Sequence, residues 1–158
     1  MNQPTQPDAD ILSQLRALVE NERDLLANMA NCAALLYHGL AEVNWAGFYL
    51  LKRGQLVLGP FQGRPACVRI DLGRGVCGTA AARRETIVVP DVHQFPGHIA
   101  CDDRSRSEMV VPMLAGDVLL GVLDLDSPRL GRFGAADTRA LEEVVRTLLA
   151  GSDVDQPN

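Results

Sequence analysis

Residues 108–126, Glu-Met-Val-Val-Pro-Met-Leu-Ala-Gly-Asp-Val-Leu-Leu-Gly-Val-Leu-Asp-Leu-Asp, read as two strands, 108–114 and 118–126, joined by Ala115-Gly116-Asp117. A short Gly-containing link between two apolar runs is a hairpin signal. Strand side chains alternate faces, so Leu119, Leu123 and Leu125 are expected on one face and Val122, Asp124 and Asp126 on the other. The two aspartates then share a face with Cα atoms roughly 6.6–6.8 Å apart. Glu108 opens the partner strand and is placed to join them. Carboxylates gathered this way need a cationic ligand, hydrogen bonds or raised pKa values to coexist; a solvated strand end is the plainer alternative.

A second hairpin lies upstream. Asn44 to Leu51 has a strand pattern and holds three of the seven aromatic residues in the chain, Trp45, Phe48 and Tyr49. Lys52-Arg53-Gly54 forms its turn, and Gln55 to Gly59 returns until Pro60. Alternation puts Trp45, Gly47 and Tyr49 on one face, with a notch at the glycine that suits either core packing or a small-molecule wall.

Short strands are expected at 66–70 and 86–89. Helices are expected from Ile11 to Val19, from Glu22 to Leu36 with Gly39 closing it, after the Gly73-Arg74-Gly75 turn, and from Ala135 to Leu149. The glycines at 73, 75 and 78 match neither a P-loop nor a dinucleotide fingerprint. Hairpins near both ends predict an α+β domain, a mostly antiparallel central sheet of about six strands flanked by helices. The domain spans 10–150, between a flexible lead at 1–9 and a disordered tail at 151–158.

Composition narrows the function. The chain has 158 residues, 47% of them hydrophobic, and a formal charge of −5. No basic stripe suggests nucleic-acid binding, and no apolar run reaches the roughly 20 residues of a membrane span. The first residues lack a signal-peptide pattern, so a cytoplasmic location is expected. Four cysteines in a reducing compartment are free, metal-bound or redox-active. Cys32, within a helical run, reads as a buried apolar residue. Cys67, Cys77 and Cys101, even with His93 or His98, match no zinc-knuckle spacing, and no metal site is expected. Cys101 stands in the polar loop 96–107, where a reactive thiol is plausible; Arg104, Arg106 or a backbone donor is left to activate it, since Asp102 and Asp103 would raise its pKa.

With these residues in view, the chain resembles the free methionine-(R)-sulfoxide reductases, single-domain enzymes of the GAF fold, over about residues 10–150. The resemblance rests on Asn44-Trp45-Ala46-Gly47-Phe48-Tyr49, Gly75-Val76-Cys77-Gly78-Thr79-Ala80, Phe95-Pro96-Gly97-His98-Ile99-Ala100-Cys101-Asp102, Ser105-Arg106-Ser107-Glu108 and Gly121-Val122-Leu123-Asp124-Leu125-Asp126-Ser127. It implies Cys101 as the nucleophile, Cys67 as the resolving cysteine and Cys77 as an auxiliary redox or pocket residue. Trp45 and Tyr49 would form an aromatic wall, and Glu108, Asp124 and Asp126 would bind substrate. The implied partners are free methionine sulfoxide, a thioredoxin or other dithiol reductant, and a second copy of the chain in a homodimer; no resident cofactor is implied. The rival readings are a non-catalytic GAF-type small-ligand sensor and a zinc-stabilised structural domain.

Overall fold

The structure, a computed structural model, describes residues 7–99 and 101–154. Six strands form one antiparallel sheet: β1 (Trp45–Lys52), β2 (Gln55–Gly63), β3 (Arg69–Asp71), β4 (Ile87–Val89), β5 (Ser107–Ala115) and β6 (Val118–Ser127), in the order β3-β2-β1-β6-β5-β4. The two expected hairpins, β1-β2 and β5-β6, become neighbours because β6 pairs with β1 at the centre. Arg53 and Gly54 both take positive φ, 51° and 77°, as a two-residue hairpin turn requires.

Helices α1 (Pro7–Val19), α2 (Leu25–Gly39) and α4 (Ala135–Ala150) cover one face, and α3 (Gly75–Arg83) lies on the other. The first three bury their apolar stripes against Ala46, Phe48, Met109, Leu123 and Leu125. Leu141, Val144, Val145 and Leu148 of α4 are all buried there, at the helical spacing of the sequence. Cys32 is fully buried in this layer, and burial pushes its thiol up to about 12. The opposite layer gathers Trp45, Tyr49, Val76, Cys77, Val110 and Val122 under α3.

Three expectations need correction. Leu119 lies with Val122, not with Leu123 and Leu125. The β5-β6 register shifts between Met113 and Leu114, where Gly121 has φ 157°. The extra residue of this bulge flips the preceding side chains to the other face. Strand β2 continues through Pro60 to Gly63, because a register shift opposite Phe48 gives the proline a place without a ladder hydrogen bond. Strand β3 is only Arg69–Asp71, so Cys67 precedes it in irregular chain.

The termini differ as well. Helix α1 begins at Pro7, within the stretch read as a flexible lead, while the rest of that lead, 1–6, lies outside the described residues. Residues 151–154 do not form a free tail. Ser152 is buried, donating to Leu148 O at 2.7 Å and accepting from Asn28 Nδ2 at 2.9 Å, while Arg23 pairs with Asp153 at 3.0 Å. The remainder of the tail, 155–158, lies outside the described residues.

Candidate active site

Strands β1, β5 and β6 deliver three sides of one cavity on the α3 face of the sheet. Register places Glu108 opposite Asp126, and Val110 opposite Asp124. All three acids therefore project to the α3 side, as the strand alternation predicts. Trp45 pairs with Asp126 across β1-β6 and brings the aromatic wall to the same end. The resulting pocket opens to solvent and is lined by Trp45, Tyr49, Arg64, Cys77, His98, Ile99, Cys101, Glu108, Asp124 and Asp126, among others.

The notch at Gly47 is not open space. A side-chain carbon there would collide with Phe61 and meet the Trp45 ring at 2.8 Å. Trp45 stacks on Phe61 at 5.3 Å and on Tyr49 at 6.0 Å between ring centroids. The glycine thus lets Phe61 of the neighbouring strand close an aromatic stack, which forms the wall of the cavity. Both polar ends of the wall are used: Trp45 Nε1 donates to Arg64 O at 3.0 Å, and Tyr49 Oη donates to Cys67 O at 2.8 Å.

Cys67 and Cys101 are joined by a disulfide, with Cα atoms 5.8 Å apart across a sequence separation of 34. That spacing is ordinary for a disulfide. The bond ties the segment after β2 to the loop before β5, and Cys101 borders the cavity. In this form neither sulfur can serve as a zinc ligand. His93 is exposed against Asp91, away from the cavity lining, whereas His98 lines it.

Cys77, in the first turn of α3, is buried, with Sγ 3.9 Å from Glu108 Oε1. Burial raises its pKa, and the carboxylates of Asp124 and Glu108 raise it further. This thiol is not predisposed to ionise. Burial likewise lifts Glu108 to about 8, with Asp126 adding to the shift, so its carboxyl is protonated at neutral pH. Asp124 is raised by burial and then by Glu108, and Asp126 by burial and then by Asp124. One oxygen of buried Asp124, Oδ1, has no hydrogen-bond partner among the described residues. A crowded acid cluster whose proton affinities are raised, with an orphan acceptor, is suited to giving up a proton and to receiving a cationic group.

Two contacts at the site were not visible in the sequence. His98 Nε2 sits 3.6 Å from Glu108 Oε2, and burial lowers its pKa. The sequence raised His98 only as a candidate zinc ligand and as part of the motif around Cys101. Asp102 holds the backbone N, Nε and NH2 of Arg104 at 2.9, 3.2 and 2.9 Å, and the Arg104 hydrogen bond depresses the Asp102 pKa. Arg104 is thereby committed to Asp102 in the disulfide form, which disfavours it as the activator of Cys101.

The GAF domain model matches residues 10–150. Free methionine-R-sulfoxide reductase of Escherichia coli is 52% identical over 140 residues, covering 89% of this chain and 85% of that protein. The chain belongs to the free methionine-R-sulfoxide reductase family. Among solved structures, fRMsr of Staphylococcus aureus in its reduced form superposes with a TM-score of 0.90 at 47% identity, covering 96% of this chain and 99% of that one. Free methionine-R-sulfoxide reductase from Neisseria meningitidis in complex with its substrate gives 0.89 at 42% identity, covering 96% and 93%. The family is one of oxidoreductases, and its α+β GAF architecture is the one described above.

Proposed function

We propose that the chain reduces free L-methionine-(R)-S-oxide to L-methionine. The observation that carries this reading is the Cys67–Cys101 disulfide at the edge of a cavity floored by Glu108, Asp124 and Asp126. In the reduced protein the Cys101 thiolate attacks the sulfoxide sulfur. A carboxyl proton, with Glu108 best placed by its raised pKa, goes to the departing oxygen. The oxygen passes to the Cys101 sulfur as the S–O bond and the S–S bond formed in the attack both break, giving a sulfenic acid and methionine. Cys67 then displaces water from the sulfenic acid to form the disulfide, and two thiols of a thioredoxin or other dithiol restore the pair. Two thiols and a sulfoxide thus become a disulfide, a thioether and water, with no resident cofactor.

The remaining carboxylates hold the substrate ammonium, beside the orphan Asp124 oxygen. A peptide-bound methionine has no such ammonium, which accounts for a preference for the free amino acid. Trp45 and Tyr49 cover its apolar end. The acids make the cavity a poor host for a phosphate-bearing ligand, which weighs against the sensor reading. Racemic free methionine sulfoxide, supplied with a dithiol and followed epimer by epimer, tests the proposal. Only the R epimer should disappear; loss of the S epimer, or equal turnover of a peptide-bound substrate, overturns it.

A further inference from the structure

The floor of the cavity holds a thiol that the proposed cycle does not consume. Cys77 remains free when Cys67 and Cys101 are joined. Its Sγ and one oxygen each from Glu108 and Asp124 all lie within 4.8 Å of one another, and all three residues are buried. They come from α3, β5 and β6, and the β5-β6 pairing fixes the two acids relative to each other. Asp124, 6% exposed, carries a buried oxygen that has no partner among the described residues. A thiol and two carboxyls converge on one point, and one of those carboxyls carries the unmet acceptor.

We propose that Cys77, Glu108 and Asp124 form a binding site for a divalent cation of the zinc class. One sulfur and two oxygens suit a borderline-soft ion, whereas magnesium and calcium take oxygen ligands alone. Bonds of about 2.0–2.3 Å in a tetrahedral site put ligand atoms roughly 3.3–3.8 Å apart. The Cys77–Glu108 pair is nearly there at 3.9 Å, and the widest pair closes by about an ångström. Three protein ligands leave a fourth position for water on the cavity side. A metal held here occupies Glu108, which the proposed function makes the proton donor, and Asp124, which it gives to the substrate ammonium, and so excludes substrate. That consequence rests on the proposed function; the metal site does not.

The experiment uses the full chain in its disulfide form, free of thiol reductant, so that Cys67 and Cys101 cannot ligate. Equilibrium dialysis against zinc should give one ion per chain, and cobalt in its place should show a thiolate-to-metal charge-transfer band. Cys77→Ser should abolish the band. Asp124→Asn, which keeps the thiol, should weaken zinc by at least the roughly 10–100-fold seen when even outer partners of a metal site are lost. Absence of binding, binding unchanged in both variants, or binding seen only after the disulfide is reduced would each overturn the site. In a single turnover of reduced protein, zinc should slow methionine formation in a manner relieved by excess sulfoxide. Zinc bound without such competition refutes the ammonium role of the acids while leaving the metal site standing.

Discussion

The hydroxyl of Tyr49 donates to the carbonyl of Cys67 at 2.8 Å, so the aromatic wall of the cavity also anchors the segment carrying Cys67. Tyr49 is itself almost fully buried, and burial raises its pKa, leaving the phenol a neutral donor. Tyr49→Phe keeps the ring and frees the segment. A hydrogen bond of this kind contributes about 1 kcal/mol. The variant should therefore release methionine at the normal rate in a single turnover but close the disulfide a few-fold more slowly. Rapid-quench mapping of free thiols follows both steps; equal slowing of both would contradict the anchoring role.

Glu108 gives the fold a pH dependence of definite sign. Its ordinary pKa of 4.5 rises to about 8 in the folded chain, first through burial and then through Asp126. Below the ordinary value both states are protonated and nothing is lost. Between the two values the unfolded chain has ionised while the folded one holds its proton, so stability falls as pH rises, by an amount on the order of a few kcal/mol. Above about pH 8 the loss is complete. Urea unfolding at pH 5 and pH 8.5 should show this decline in the wild type and a shallower one in Glu108→Gln. A slope unchanged by the substitution would assign the effect to other groups.

Gly121 holds β6 in the bulge that lies against β1. At φ 157°, an added Cβ there would strike the backbone carbonyl of Tyr49. Gly121→Ala should destabilise the protein by at least the ~1–3 kcal/mol typical of overpacking, and should loosen the strands that present Trp45 and Asp124. Thermal melting measures the first effect. A variant as stable as the wild type would mean that the bulge relaxes freely.

How much of this was legible beforehand differs from residue to residue. The hairpins at 52–54 and 115–117, the buried stripe of α4 and the shared face of Asp124 and Asp126 follow from local periodicity and turn chemistry, and the structure keeps them. Leu119 went to the wrong face because one extra residue in a strand reverses its alternation, and the glycine that makes this possible looks like any other in sequence. How the notch at Gly47 is used was not legible for a non-local reason: Phe61, on the paired strand, fills it. Ser152 looked like part of a polar tail because its partner, Asn28, lies 124 positions away. The pairing of Cys67 with Cys101 came only from the family resemblance, since nothing in their spacing brings them together.

Ser152 offers a test remote from the cavity. Its hydroxyl bridges Asn28 Nδ2 and Leu148 O. Ser152→Ala leaves a buried donor and acceptor with one partner fewer each, at a cost of about 1–3 kcal/mol. The melting temperature should fall while kcat and KM for methionine sulfoxide stay unchanged. An unaltered melting temperature would return residues 151–154 to the status of a dispensable tail.

The most direct test of the central claim is a single turnover with no recycling reductant. Pre-reduced protein mixed with excess racemic free methionine sulfoxide should yield about one methionine per chain, from the R epimer alone, with loss of two thiols and a mapped Cys67–Cys101 disulfide. Cys67→Ser should release the same methionine and leave a sulfenic acid that a dimedone probe traps on Cys101. Methionine formed by Cys101→Ser, or the probe found on Cys77 instead, would contradict the account.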